Sequence, residues 1–114
     1  MNYIMSTPVI PPNFVGTISA HFSGPGAIVN AIKTWRSYDR PIKSFCGHQA
    51  TAAFLGVEMH RGELSGADLQ IGDVLVGIRP LRRPTPGEEL EIIPANFQGF
   101  ILEIVESTHD QAHL

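Results

Sequence analysis

The stretch Ser44-Phe45-Cys46-Gly47-His48-Gln49-Ala50-Thr51-Ala52-Ala53-Phe54-Leu55-Gly56 constrains the fold more than any other part of the chain. Its first residues are partly apolar and suit an extended backbone. Gly47 and His48 interrupt them, and good helix formers follow at once. Gly56 then offers a residue that tolerates the left-handed end of a helix. The spacing predicts an extended piece over 42–45, then a helix of roughly two turns over 49–55, with His48 at or near its N-terminus. Backbone N–H groups at a helix start are free to meet an anion. Histidine is also the side chain whose charge changes near neutral pH. This junction is therefore the first place to look for chemistry.

The remaining elements follow from periodicity and breakers. Residues 1–13 carry Pro8, Pro11 and Pro12 and read as an irregular arm. Residues 14–22 read as a strand that ends in the turn Ser23-Gly24-Pro25-Gly26. Residues 27–35 place Ile28, Ile32 and Trp35 on one helical face. Pro41 and the polar residues before it end that helix. Val57 to His60 suits a strand edge or connector. Residues 73–80 are the clearest strand, with Val74, Val76 and Ile78 on one side and Leu75, Gly77 and Arg79 on the other. A proline-rich loop follows, then a possible short strand over 89–93. Residues 100–105 read as the closing strand and 107–114 as a polar tail. The expected architecture is a single α+β domain over 14–106, a mixed sheet flanked by short helices.

Composition narrows the function. Hydrophobic residues make up 43% of the 114, enough for one modest core. The formal net charge is −3, from 8 basic and 11 acidic residues. A chain so balanced lacks the strongly basic face that duplex DNA binding needs. Cys46 is the only cysteine, so no internal disulfide can form, and a cytoplasmic setting is expected. No run is long and apolar enough for a membrane span, and no signal peptide is apparent. A two-fold homodimer is expected on general grounds.

Three groups of residues are candidates for chemistry. His48 can act as general acid or base, or donate a hydrogen bond to a phosphate. The plainer alternative is a polar junction residue bonded to nearby backbone. Arg61, Arg79, Arg82 and Arg83 can fork onto phosphate oxygens, or simply form a solvated face. Ser19, His21 and Ser23 share one strand face and can line a site, or form the wet side of a half-buried strand. The five histidines show no zinc spacing, so no metal and no cofactor are expected. Trp35, Tyr38 and Phe45 are expected in the core or an interface rather than as base-stacking platforms.

The segment from Phe45 to Leu55 resembles the Gly-His-x-x-Thr helix start of a small viral and phage-associated family. That family includes the type III anti-CRISPR ring nucleases. Ile18-Ser19-Ala20-His21-Phe22-Ser23 resembles its first strand, and Met59-His60-Arg61 the segment after its helix. Asp73 to Val76, with Arg82 and Gly87, resembles its Gly-Asp strand, arginine and glycine turn. Phe100 to Glu106 resembles its closing strand. The resemblance implies a two-fold dimer with a mixed sheet flanked by helices. It implies binding of cyclic tetra-adenylate and metal-free cutting to 2′,3′-cyclic phosphate ends. By position, the family's catalytic histidine falls on His48, its serine on Ser23, and its arginines on Arg61 and on Arg82 or Arg83. No acidic residue stands where the family has a glutamate near its glycine turn. Thr85-Pro86 precede Gly87 here, and Glu88 follows it. The helix that precedes the family's last strand has no counterpart.

The expected site therefore has His48, Arg82 and Arg83 in the chemical step, with Ser19, His21, Ser23, Gly47, Gln49, Thr51 and Arg61 binding a cyclic oligonucleotide. The expected activity is that of a ring nuclease in the host cytoplasm. The alternatives are a sponge that holds the nucleotide without cutting it, and an inhibitor that docks on a defence complex.

Overall fold

A computed structural model of the chain describes residues 1–107. Its elements are β1 (Asn2–Met5), β2 (Gly16–Ser23), α1 (Pro25–Ser37), β3 (Ile42–Phe45), α2 (Gln49–Leu55), β4 (Val74–Pro80) and β5 (Phe97–Ser107), with one 3-10 turn at Gly66–Asp68. The strands form one mixed five-stranded sheet in the order β2-β5-β4-β1-β3. β1 runs parallel to both of its neighbours, β3 and β4. β5 runs antiparallel to β4 and β2. The fold is α+β, as expected.

Both sheet faces are buried near the centre. Ile4, Val76 and Ile78 meet Ile28 and Ile32 of α1 and Ala52 and Leu55 of α2 on one face. Tyr3, Leu75, Phe100, Leu102 and Ile104 meet Leu64 and Leu69 on the other. The helices thus cover one face, and the loop after α2 covers the second. The alternation in β4 is the one its sequence pattern predicts.

Each helix ends where its sequence permits. α1 begins with Pro25 after Gly24, a position where the missing N–H costs nothing. It ends with Asp39 in the left-handed conformation, φ 53°. The Asp39 N–H bonds to the Arg36 carbonyl and the Arg40 N–H to that of Trp35, which turns the chain into β3. Gly56, at φ 69°, ends α2 in the same way. The chain then runs beside the outer edge of β3: the Ser44 hydroxyl donates to the Glu58 carbonyl and the His60 N–H to that of Cys46. That contact covers an otherwise open sheet edge.

Three expectations need correction. Residues 2–5 are not part of an irregular arm; they form β1 between two other strands, with Ile4 fully buried. Of the expected arm, residues 6–13 lack regular structure. Residues 89–93 form no strand, because their backbone bonds locally: Ile93 to Glu91, then Asn96 and Phe97 back to Ile93. Leu90 and Ile92 still pack on the helix-side core. The final strand runs on to Ser107, which is buried and donates to the Leu69 carbonyl. The rest of the expected tail lies outside the described residues.

The seam between β1 and β4 is tight. A Cβ on Gly77 would stand 2.0 Å from the Met5 carbonyl oxygen and 2.7 Å from the Phe100 ring. The carbonyl oxygen belongs to the backbone of β1 and cannot yield without moving a central strand. Gly77→Ala is expected to lower stability by about 3 kcal/mol, the upper range for overpacking a core, measured by urea unfolding.

Candidate active site

Because β1, β3 and β4 are parallel, their C-terminal ends share one rim of the sheet. β2 points the same way, so Ser23 stands level with Ile78 across Gly99 of β5. In sheets with parallel strands, this is the rim where ligands commonly bind. The chain leaves β1 through Ser6 and Thr7, leaves β3 through Cys46 to His48, and leaves β4 through Pro80.

A web of bonds holds the β3 exit. The Gly47 N–H donates to the Ser6 hydroxyl at 3.3 Å. The Cys46 thiol donates to the His48 carbonyl at 3.6 Å, and the Ala52 N–H donates to the same carbonyl at 2.9 Å. Cys46 is fully buried, and burial pushes its thiol pKa up. It serves as a packed anchor under the junction, not as an exposed thiolate nucleophile. His48 has the extended backbone of an N-cap, yet its ring makes no capping bond. The ring is solvent-accessible and has no hydrogen-bond partner among the described residues. At seven residues α2 is too short to bring a strong dipole. What the junction offers is the free imidazole.

A cavity of about 370 Å³ opens beside it. His48, Ala50 and Thr51 form one wall, and Ser6 and Thr7 another. Ile78 and Phe97 give it an apolar floor. Pro84, Glu88 and Glu89 close it from the loop after β4.

That loop is tied by one ion pair. Both nitrogens of the Arg82 fork meet the two carboxylate oxygens of Glu88 at 2.8 Å. The Thr85 N–H adds a third bond at 3.0 Å. Arg82, then Thr85, hold the Glu88 carboxyl down at about 2, against an ordinary 4.5. Glu88 is therefore ionised throughout the physiological range. It can accept a proton contact or stabilise a nearby cation, but it cannot serve as an acid there.

The other expected residues spread over the rim and beyond it. Gly47 and Thr51 stand at the cavity or directly beside it, and Gln49 opens α2 on its exposed side. Neither Arg82 nor Arg83 lines the cavity; the carboxylate partner of Arg82 does. Arg61 lies in the exposed loop after α2. Ser19 and His21 sit on β2 and bond to each other at 3.2 Å. Three strands separate β2 from β3, about 19 Å at ordinary strand spacing. Ser23 is on the same rim of the sheet but at that far edge. Arg79 lies 5.9 Å from the Phe22 ring and bonds to Gln98. Among the described residues no cluster has the makings of a metal site.

Sequence reasoning missed Ser6, Thr7 and Glu88. The first two follow a short apolar run, Tyr3-Ile4-Met5, of the length and type of a buried parallel strand. The prolines just after it masked that signal. Glu88 stands six residues beyond Arg82, a spacing that only the turn at Gly87, φ 82°, turns into a contact.

Comparison of the sequence with models of known protein families gave no match, and comparison with curated proteins gave none either. Among solved structures, the fold is similar to that of B116 of Sulfolobus turreted icosahedral virus (STIV). The TM-score is 0.65 at 13% sequence identity, over 90% of this chain and 97% of that one. At that identity the likeness is one of fold. No helix among the described residues is long and apolar enough to cross a membrane.

The depressed pKa of Glu88 sets a pH window. A carboxylate stabilised in the folded loop contributes fully above its ordinary value of 4.5, and that contribution fades as pH falls toward about 2. Glu88→Gln removes it at every pH. The loop from 81 to 90 is expected to resist an acid-active protease at pH 4 in the wild type and to be cut in Glu88→Gln.

Proposed function

We propose that the protein is a metal-independent ring nuclease that opens a cyclic oligoadenylate, with cyclic tetra-adenylate the expected ring. The observation that carries this reading is the unbonded His48 imidazole on a cavity shared with the ionised Glu88 and with the Ser6, Thr7 and Thr51 hydroxyls. The resemblance around Gly47-His48 supports it. So does the likeness in fold to a viral protein, which also supports a viral origin for the chain.

In the reaction the substrate's own 2′-oxygen attacks the adjacent phosphorus. A new 2′-O–P bond forms as the P–O5′ bond breaks. The 2′-hydroxyl gives up one proton to solvent water and the departing 5′-oxygen takes one, so the products are linear with a 2′,3′-cyclic phosphate. His48, as imidazolium, supplies the proton to the 5′-oxygen. Hydroxyls from Ser6, Thr7 and Thr51 donate to phosphate oxygens. Arg82 takes part only by exchanging Glu88 for a phosphate, and Arg83 only by turning inward. The reading entails a two-fold dimer acting in the host cytoplasm.

A second reading, sequestration without turnover, is favoured by one observation: the Arg82 guanidinium is already taken by a carboxylate, and charge stabilisation at phosphorus is a large part of phosphoryl catalysis.

The test is incubation with cyclic di-, tri-, tetra- and hexanucleotides in excess EDTA, read by mass spectrometry. A linear product with a cyclic phosphate end is expected. His48→Ala should cut at least about 100-fold more slowly, the usual worth of a positioned proton donor. A ring bound tightly and recovered whole would point to sequestration. No binding of any ring overturns both readings.

A further inference from the structure

The cavity does not stop at His48. A second, more open trough of about 520 Å³ continues from it along α2, and the two share Ala50, Glu89 and Leu90. Phe54 and Ile92 line its apolar part, and Glu91 its rim. Ala50 and Phe54 are four residues apart on α2, so they share one stripe of the helix. That stripe faces the segment from 89 to 92.

Phe54 is 38% exposed, a large aromatic left partly open to water. Its helix is anchored from the opposite side by buried Thr51, Ala52 and Leu55. The facing wall is held as well: the Asn96 amide donates to the Glu91 carbonyl at 3.0 Å, and the Ile93 N–H donates to the same oxygen. The platform is preformed.

Charge sorts what can enter. Glu89 and Glu91 have no ion-pair partner among the described residues. Glu89 borders both cavities and Glu91 the trough alone, so the trough carries more unpaired negative charge and disfavours a phosphate, while its apolar floor accepts a flat ring. A phosphate is therefore left at the His48 end, among the hydroxyls. A base attached to it is directed onto Phe54, and the two carboxylates at its edge accept from the two N–H bonds of an exocyclic amine, where uracil offers only a single ring N–H. Carboxylates read exocyclic amines in this way on nucleic acids.

We infer that Phe54, with Leu90 and Ile92, forms a stacking platform for a nucleobase of the ligand held at His48. Glu89 and Glu91 select a base that carries an exocyclic amine. Phe54 is thus a specificity-determining residue, and the inference rests on the nucleotide reading above.

The experiment is isothermal titration of 2′-O-methylated cyclic tetra-adenylate and cyclic tetra-uridylate into the full chain. These rings lack the attacking hydroxyl and stay intact. The wild type is expected to prefer the adenine ring. Phe54→Ala should weaken it about tenfold, the worth of one stacked base, and Phe54→Tyr should restore it. The double variant Glu89→Gln, Glu91→Gln should lose most of the preference for adenine over uracil. If the wild type binds the adenine ring and Phe54→Ala binds it equally well, the platform is wrong and the nucleotide reading stands. If the wild type binds neither ring, both are wrong.

Discussion

The parallel pairing of β1 with β3 on one side and β4 on the other sets the rest of the structure. β1 is four residues long, yet it is the bridge that joins the β3-α2 unit to the antiparallel half of the sheet. Remove it and β3 has no partner within the sheet. Its direction also decides where the candidate site sits. Two parallel neighbours bring three strand exits to one rim, and those exits carry Ser6 and Thr7, His48, and the loop that holds Glu88. The Ser6 hydroxyl then ties the β1 exit directly to the Gly47 N–H of the β3 exit.

Packing explains why so short a strand is stable there. Ile4 is fully buried among Val76, Ile28 and Cys46 on the helix side, and Tyr3 is nearly buried among Leu69 and Phe100 on the other. A strand covered on both faces shows an apolar run and no alternation. Three residues of that kind followed by a proline-rich segment look like an arm, and this is why the central element of the fold was the hardest to see in the sequence. The strands with longer signals were legible: β4 by its alternation, β5 by its closing run, α1 by Ile28, Ile32 and Trp35. The junction at His48 was legible too, because Gly47, the helix formers and Gly56 are local signals. Contacts that depend on long-range folding were not. The Arg82–Glu88 fork needs a loop to turn back on itself, and the segment around Leu90 uses its apolar residues to pack without entering the sheet.

Electrostatics separates the two ends of the groove. Near His48 there are hydroxyls, an imidazole, a carboxylate already neutralised by Arg82, and Glu89, which borders both ends. Along Phe54 the carboxylates are free. The arginines that a phosphate would seek lie outside the cavity, with Arg82 committed to Glu88 and Arg83 in the exposed loop. A ligand with phosphates and bases would meet this groove in one orientation, its phosphates toward the strand exits. On the proposed reading, cutting would depend on the imidazole, since the carboxyl of Glu88 is held down to about 2 and gives no proton.

The most direct test of the account is a nuclear magnetic resonance titration of the full chain with 2′-O-methylated cyclic tetra-adenylate in EDTA. The account predicts that the His48 ring and the amides of Ser6, Thr7 and Thr51 shift together and saturate at one ligand concentration, while Ser19 and His21 stay unmoved. Shifts at β2 with a silent His48, or movement of His48 without Ser6 and Thr7, would contradict it.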